Sequence, residues 1–192
     1  MARSAAETRQ RIIDAAYGMF WRQGFVRASL DDIADRAKVT KRTLYQHFRS
    51  KDDLMAEVLT HASELAIGRL HRISDRLPKD REAMLDAVFA ELAQWAGQPH
   101  WSGAGFTRVV SELADLPGHP AREIARRHKA ATEHWFADLL KRAGVRSADE
   151  RSREVALLME GALSLMLIHG DRSYADAAAG AAKRLVKSKV RS

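Results

Sequence analysis

The 192-residue chain is 46% apolar and 30% charged, a composition typical of a soluble globular protein. It contains no cysteine, which excludes disulfides, thiolate metal sites and a cysteine nucleophile. Its start lacks the apolar run of a signal peptide, and no stretch of about twenty apolar residues is present to span a bilayer. We therefore expect a cytoplasmic protein that has no membrane partner.

The net charge of +7 is distributed unevenly along the chain. Residues 1–51 carry 11 Lys and Arg against 5 Asp and Glu, whereas residues 52–192 carry 21 against 20. A basic N-terminal part attached to a nearly neutral remainder indicates a nucleic-acid partner for the basic part only.

The N-terminal part shows the pattern of four helices. A first helix is predicted over about residues 7–23, because apolar residues recur on one face and a glycine follows. Hydroxyl residues followed three positions later by a polar side chain mark three further helix starts, at Ser29, Thr40 and Ser50. The fourth helix is expected to continue to the Leu-Pro break at 77–78.

The second and third helices lie within residues 29–48 and are separated by only two or three residues around Lys38 and Val39. Two short helices joined by such a turn form a helix-turn-helix. Each helix has its own apolar stripe, as expected for two helices that pack on a common core.

The third helix carries side chains suited to DNA. Leu44 and Phe48 form its apolar side, and steps of about 100° per residue place Arg42 and Gln46 opposite them. Arg and Gln match guanine and adenine edges in the major groove. The flanking residues that can hydrogen-bond phosphate oxygens are Thr43, Tyr45 and His47. A solvated polar face is the alternative, but the caps, the turn and the basic flanks together favour DNA binding.

Five more helices are predicted from apolar spacing, glycine and proline breaks, and capping signals. They cover about 84–97, 106–113 and 120–144, followed by helices that begin at Ser147 and Ser173. The last two starts have the form of capping boxes, Ser147 with Glu150 and Ser173 with Asp176. Residues 187–192 are predicted to form a frayed basic tail. No strand-like alternation is sustained, so the sequence predicts an all-α protein of about nine helices.

The N-terminal part resembles the DNA-binding domain of TetR/AcrR-type transcriptional regulators in two stretches, TRQRIIDAAYGMFWRQGF and SLDDIADRAKVTKRTLYQHFRSKDDL. The resemblance covers roughly residues 7–60. It implies an all-α two-fold homodimer, usually a repressor. The implied domains are a helix-turn-helix DNA-binding domain over residues 6–66 and an effector-binding and dimerisation domain over residues 67–192.

The resemblance also implies which residues contact DNA. They are Ser29, Thr40, Lys41, Arg42, Thr43, Tyr45, Gln46, His47 and Lys51. In the turn, Lys38 occupies a position where the family commonly has glycine. If that position requires a positive φ, the lysine costs roughly 1 kcal/mol of strain. Contact with a phosphate is one way to offset this strain.

The aromatic residues of the C-terminal part have two open interpretations. They form either ordinary helical core or an apolar effector pocket in which a few polar groups orient a ligand. The candidate pocket residues are Phe89, Trp95, Trp101, Phe106, His134, Trp135, Met159 and Glu160. Glu160 lies in an apolar run, where an unpaired charge is costly, so it requires a partner or a cavity. His134 is equally compatible with a half-exposed position.

The last two helices are predicted to form the dimer contact. The eighth is apolar nearly all round from Val155 to Ile168 and needs cover on two sides, while the ninth has small residues over 175–182 that permit close helix approach. Together they suit a four-helix bundle with the same pair from a second chain, with an intrachain core as the alternative. The candidate interface residues are Leu158, Ala162, Leu165, Ala175, Ala178, Ala179 and Ala182.

These observations favour a ligand-responsive, sequence-specific DNA-binding regulator, namely a repressor that a small apolar effector releases from a palindromic operator. Two alternatives stay open: a constitutive DNA-binding regulator without an effector, and a helical carrier or interaction protein that does not bind DNA. Catalysis is not expected, because no His-x-x-x-His or Glu-x-x-His pair, dinucleotide glycine loop or Gly-x-Ser-x-Gly elbow is present. No cofactor or metal is expected either.

Overall fold

The computed structural model describes residues 4–99 and 101–187, and every regular element within these ranges is a helix. The helices are α1 (Ala5–Gln23), α2 (Leu30–Arg36), α3 (Lys41–His47), α4 (Lys51–Ser74), α5 (Arg81–Ala96), α6 (Gly105–Glu112), α7 (Pro120–Arg142), α8 (Ala148–His169) and α9 (Ser173–Lys187). The prediction of an all-α protein of about nine helices is confirmed. None of the described helices is both long and apolar enough to cross a lipid bilayer. From residue 188 onward, the predicted basic tail lies outside the described residues.

The three helix starts predicted in the N-terminal part have the expected side-chain caps. Ser29, Thr40 and Ser50 each accept, through the side-chain oxygen, a hydrogen bond from the backbone N–H three residues later, at 3.1 Å. The first helix starts two residues earlier than predicted, because Ser4 and Glu7 form a capping box. These caps satisfy N–H groups that otherwise lack partners at each helix start.

The two capping boxes predicted for the last helices are wrong. Ser147 has left-handed backbone angles (φ 54°, ψ 41°) and makes no side-chain cap, since capping requires an extended backbone at that position. Ser173 lies inside α9, where its N–H and its hydroxyl both donate to the Asp171 carboxylate, at 2.9 and 2.8 Å. These hydrogen bonds lower the pKa of Asp171. The fourth helix also ends early, at Ser74, because the next N–H groups bond carbonyls three residues back.

The described residues form two compact units. The first comprises the chain up to Ala66 together with Gly105–His128, and the second comprises Ile67–Ala104 and the chain from Lys129 onward. A unit boundary falls after Ala66, and residues 105–128, which the sequence analysis assigns to the C-terminal domain, group with the first unit. The reason is that apolar side chains of α6 and of the start of α7, including Phe106, are buried in the core of the first unit.

In the first unit, a single apolar core fixes the short helices. Phe20, Phe25, Leu44, Phe48 and Leu54 are at most 1% exposed. The Phe20 and Phe25 rings stack with their centroids 5.4 Å apart, so the chain folds back after α1 as expected from the glycine between them. Because α2 and α3 have only seven residues each, this shared burial is what stabilises them.

In the second unit, the small residues of α9 are buried within the chain. The alanines at 175, 178, 179 and 182 are at most 7% exposed in a core shared with α5 and α8, and Ala162 of α8 is also buried there. Small side chains let α9 approach both neighbouring helices closely, which removes these residues from the surface. The prediction that Ala162, Ala175, Ala178, Ala179 and Ala182 form a dimer interface is therefore wrong, and the intrachain alternative applies to them.

The opposite face of α8 is apolar and exposed. Leu157 is 69% exposed, Leu165 is 37% exposed and Ile168 is 67% exposed, whereas Leu158 is half-buried. Val155, Leu163 and Met166 face the core instead. The requirement for cover on two sides is thus met on only one side within the described chain.

Candidate nucleic-acid interface

The second and third helices form the predicted helix-turn-helix. The Ile33 and Ala34 side chains of α2 and the Leu44 side chain of α3 are at most 3% exposed, and Phe48 ends α3 with 1% exposure. Only residues 37–40 connect the two helices. Each helix buries its apolar stripe in the core of the first unit, so the remaining face of each is directed away from that core.

The turn contains the strained residue that the sequence indicated. Lys38 has φ 51°, in the left-handed region where a side chain costs roughly 1–2 kcal/mol. The Arg11 guanidinium of α1 donates hydrogen bonds to the Ala37 and Lys38 carbonyl oxygens, the second at 3.1 Å. Sequence reasoning missed Arg11, because it is 26 residues from Ala37 and no local pattern links the two.

The exposed face of α3 carries the two predicted base readers. Arg42 and Gln46 are exposed, and neither side chain has a hydrogen bond or ion pair with any other residue in the described ranges. Tyr45 is 47% exposed, and Thr43 and His47 are half-buried. The positions relative to the core match the helical-wheel prediction, so the donors of Arg42 and the donor and acceptor of Gln46 are free to meet a ligand.

Two of the predicted hydroxyl contacts are already engaged. Ser29 Oγ accepts the Asp32 N–H, and Thr40 Oγ1 accepts the Thr43 N–H while sharing a second hydrogen bond with Thr43 Oγ1 at 2.8 Å. A hydroxyl that accepts a backbone hydrogen bond still has its own proton to donate. Ser29 can therefore cap α2 and donate to an acceptor such as a phosphate oxygen, whereas Thr40 and Thr43 use one hydroxyl proton between them and keep the other for such a contact.

Lys41 is paired with an acidic side chain of α2. Its Nζ lies 2.7 Å from Asp31 Oδ1, and both side chains are more than half exposed. The hydrogen bond from Lys41 to Asp31 raises the pKa of Lys41 above the ordinary lysine value. The ammonium is therefore charged but shared, and a phosphate at this position would compete with the Asp31 carboxylate.

Lys51, at the start of α4, also has an internal partner. Its Nζ donates to the Val26 carbonyl oxygen at 2.6 Å. Burial lowers the pKa of Lys51, and the nearby Asp52 and Glu112 carboxylates partly oppose this effect. An ammonium carries three protons, so one hydrogen bond to Val26 leaves others for a phosphate.

The predicted effector-pocket residues do not form one group. Phe106 belongs to the first unit, where its ring stacks on His128 with the centroids 3.7 Å apart, because α6 packs there. The rest of the set lies in the second unit. Its members are Phe89, Trp95, Trp101, His134, Trp135, Met159 and Glu160. Phe106 thus belongs to a different unit from the other predicted pocket residues.

The polar groups of three of these second-unit side chains, Glu160, Trp135 and His134, have partners inside the chain. Glu160 Oε1 lies 2.6 Å from Lys129 Nζ, which supplies the partner that its apolar surroundings required. Trp135 donates its indole N–H to Ser74 Oγ at 2.8 Å. His134 is exposed.

Two features of the second unit are relevant to small-molecule binding. A depression of about 410 Å³ is lined by His71, Trp135, Asp138, Lys141 and Arg142. Only Trp135 among these residues was predicted, so the lining is more polar than expected.

The second feature is a pair of tryptophans. Trp95 and Trp101 meet edge to face with ring centroids 5.9 Å apart. The Trp101 indole N–H is buried and has no acceptor among the described residues.

No cluster of three or more His, Asp or Glu side chains suited to a metal ion occurs within residues 4–99 and 101–187.

The chain is similar in sequence to known bacterial regulatory proteins. The family described as "Bacterial regulatory proteins, tetR family" matches residues 12–58. The HTH-type transcriptional regulator AcrR of Shigella flexneri is 44% identical over 91 residues, 47% of this chain and 42% of AcrR. The HTH-type transcriptional regulator TtgW of Pseudomonas putida is 43% identical over 90 residues, 45% of this chain and 67% of TtgW. The matched region thus spans less than half of AcrR.

A solved structure shares the fold over nearly the whole chain. A TetR-family transcriptional regulator from Streptomyces coelicolor superimposes with a TM-score of 0.83 at 23% identity, covering 95% of each chain. Fold and turn geometry define an all-α helix-turn-helix protein. The family match and the similarity to TtgW show that the chain belongs to the TetR family of bacterial regulatory proteins.

The Lys41–Asp31 pair generates a first prediction. If Lys41 contacts a phosphate, Asp31→Asn should tighten binding to all duplexes by about two- to fivefold, because it removes the competing carboxylate. The measurement is fluorescence anisotropy with a labelled duplex of mixed sequence at low salt. Asp35→Asn is the matched control, since it makes the same charge change at an exposed position of the same helix, where the carboxylate is not paired with Lys41. If both variants tightened binding equally, the effect would come from the overall charge. That result would contradict competition between Asp31 and a phosphate for Lys41.

Proposed function

We propose that this protein is a sequence-specific DNA-binding transcriptional regulator that binds a palindromic duplex as a homodimer. The observation that carries the proposal is the exposed face of α3, where Arg42 and Gln46 are free because Leu44 and Phe48 are buried. The basic charge of the N-terminal part and membership of the TetR family support the same conclusion.

The proposed contacts divide into two classes. Arg42 and Gln46 read base edges, since the paired donors of Arg match the two guanine acceptors, and the donor and acceptor of Gln match adenine, in the major groove. The remaining residues position the protein on the phosphate backbone. These phosphate contacts are Ser29, Thr40, Lys41, Thr43, Tyr45, His47 and Lys51.

Base readers and phosphate contacts should respond differently to substitution. Arg42→Ala and Gln46→Ala should each relax the preference at one base pair by roughly 1–3 kcal/mol. Lys51→Ala should weaken all duplexes similarly and reduce the slope of log affinity against log salt by about one unit. The measurement is enrichment from a randomised duplex pool, followed by affinities at several salt concentrations. If Arg42→Ala lowered affinity uniformly and left the enriched sequence unchanged, the base-reading assignment would be wrong.

The exposed face of α8 supports the homodimer. Leu157, Leu165 and Ile168 recur at helical spacing on this face, and a Cβ added to Gly161 would meet no atom within 4 Å. An apolar helix face of this kind is stabilised when it packs on its own symmetry mate. A two-fold pair of recognition helices then requires two-fold related half-sites. The centres of these half-sites lie one helical turn of DNA, about 34–36 Å, or a multiple of it apart.

Two substitutions separate the dimer contact from the intrachain core. Leu165→Arg, on the exposed face of α8, should leave the helical circular dichroism unchanged while light scattering shows a monomer. Ala179→Arg should instead lower the free energy of unfolding by several kcal/mol, because an arginine cannot fit in the buried core of the second unit. A folded dimer from Leu165→Arg would place the interface elsewhere.

We further propose that a small, mainly apolar effector with a hydrogen-bond acceptor binds the second unit and releases the operator, which makes the protein a repressor. The Trp95–Trp101 pair supports this, because a buried indole N–H without an acceptor is an uncommon cost that a ligand would relieve. Helix α4 contributes residues to both units, from Lys51 to Ser74, and is the proposed mechanical link.

Effector and operator should weaken each other's binding by the same factor. Compounds selected by thermal shift with the free protein are titrated by calorimetry into free and operator-loaded protein. We expect weaker binding to the loaded protein, by about 5- to 150-fold for a coupling of 1–3 kcal/mol. Equal affinity for free and operator-loaded protein would contradict release of the operator by the effector. It would favour the alternative of a constitutive DNA-binding regulator.

A further inference from the structure

Both backbone polar groups of Val26, in the loop between α1 and α2, are hydrogen-bonded to charged side chains. The Val26 N–H donates to Glu112 Oε2 at 2.9 Å, and the Val26 carbonyl oxygen accepts the Lys51 ammonium at 2.6 Å. Glu112 ends α6, and Lys51 begins α4. All three residues belong to the first unit, so a short chain of hydrogen bonds joins the end of α6 to the proposed phosphate contact at Lys51.

Glu112 is itself fixed in place. Arg108, one turn earlier on α6, donates from Nε to Glu112 Oε1 at 2.7 Å and from Nη1 to the Trp21 carbonyl oxygen at 3.0 Å. Both charged side chains are less than a third exposed. A Cβ at Gly24, which has φ 103°, would lie 2.9 Å from Arg108 Nη2 and from Glu112 Oε1. Glycine at this position therefore lets the charged pair approach the loop backbone.

The segment after α6 also contacts the start of α4. His119, between α6 and α7, has its Nε2 3.4 Å from Asp52 Oδ1, while its Nδ1 accepts the Ala121 N–H at 3.1 Å. Asp52 is the neighbour of Lys51. Two separate polar contacts thus connect the end of α6 and the following turn to the loop at Val26 and to the first turn of α4.

We propose that Glu112 is a positioning residue for DNA binding that acts through Val26 on Lys51. This inference rests on the proposed function, in which Lys51 contacts a phosphate. A lysine ammonium on a flexible stem loses rotamer freedom when it binds, so a fixed carbonyl that already orients it reduces that loss. Without the Glu112 carboxylate, the loop no longer holds the Val26 carbonyl in one orientation.

Charge and positioning predict opposite effects for Glu112→Gln. Removing a carboxylate makes the protein more basic, which by itself tightens binding to a polyanion. The carboxylate accepts Val26 and Arg108 on two different oxygens, and in glutamine one of these two positions is an NH2 group, which donates and cannot accept. A loss of affinity on adding positive charge therefore has to come from geometry.

The experiment compares Glu112→Gln with Glu123→Gln, using a labelled mixed-sequence duplex at low salt. Glu123 makes the same charge change in the same unit, at an exposed position of α7, where it pairs with Arg126 rather than with the loop. We expect Glu112→Gln to weaken duplex binding by roughly three- to tenfold. The Glu123→Gln variant should bind as tightly as the unchanged protein or more tightly. If Glu112→Gln binds the duplex as tightly as Glu123→Gln does, the proposal is overturned.

A double-mutant cycle separates positioning from general destabilisation. In a Lys51→Ala background, Glu112→Gln should no longer weaken duplex binding and should change the affinity only as Glu123→Gln does, because the side chain that it positions is absent and only the charge change is left. A loss that persists in this background overturns the proposal, since it shows an effect that does not pass through Lys51. If Glu112→Gln does not fold, Glu112→Asp takes its place in the same cycle, because it keeps the charge but shortens the reach to Val26.

The proposal and the function on which it rests can fail separately. If the unchanged protein does not bind the duplex, both fail. If the unchanged protein binds and Lys51→Ala weakens that binding, the proposed function stands, and the cycle with Glu112 decides the inference alone.

Discussion

Leu44 and Phe48 hold α3 in place by burying their side chains in the core of the first unit. A seven-residue helix is not stable alone, so this burial determines that α3 forms. It also determines how α3 is rotated, because turning either side chain outward costs about 1.5–3 kcal/mol. Arg42 and Gln46 are exposed as a consequence. The proposed recognition of DNA therefore depends on two apolar residues that do not themselves meet DNA.

The polar residues around α3 differ in how far they are already engaged. Lys41 and Lys51 have internal partners, Asp31 and Val26, whereas Arg42 and Gln46 have none among the described residues. Under the proposed function, phosphate contacts exchange or share an existing hydrogen bond, and base contacts form without such competition. This difference lowers the sequence-independent part of the affinity relative to the part that reads bases, which favours discrimination between sequences.

In the second unit, one face of α8 is buried against α9 and the other is exposed. The alanines of α9 are buried in a core that also contains side chains of α5 and α8. One face of α8 lies in the core, and the other exposes Leu157, Leu165 and Ile168. The proposed dimer contact thus uses the exposed face of α8, while α9 packs against the opposite, buried face.

The sequence by itself determined the features that depend on neighbours in the chain. Spacing and hydroxyl caps predicted the helices, the turn and the outward face of α3, because helical periodicity and capping act over three or four residues. Only the tertiary structure decided which distant groups meet. Packing of α6 placed Phe106 in the first unit, close approach of α9 buried the alanines, and folding of the loop brought Glu112 and Lys51 to Val26. Such contacts join residues far apart in the chain, and no periodicity encodes them.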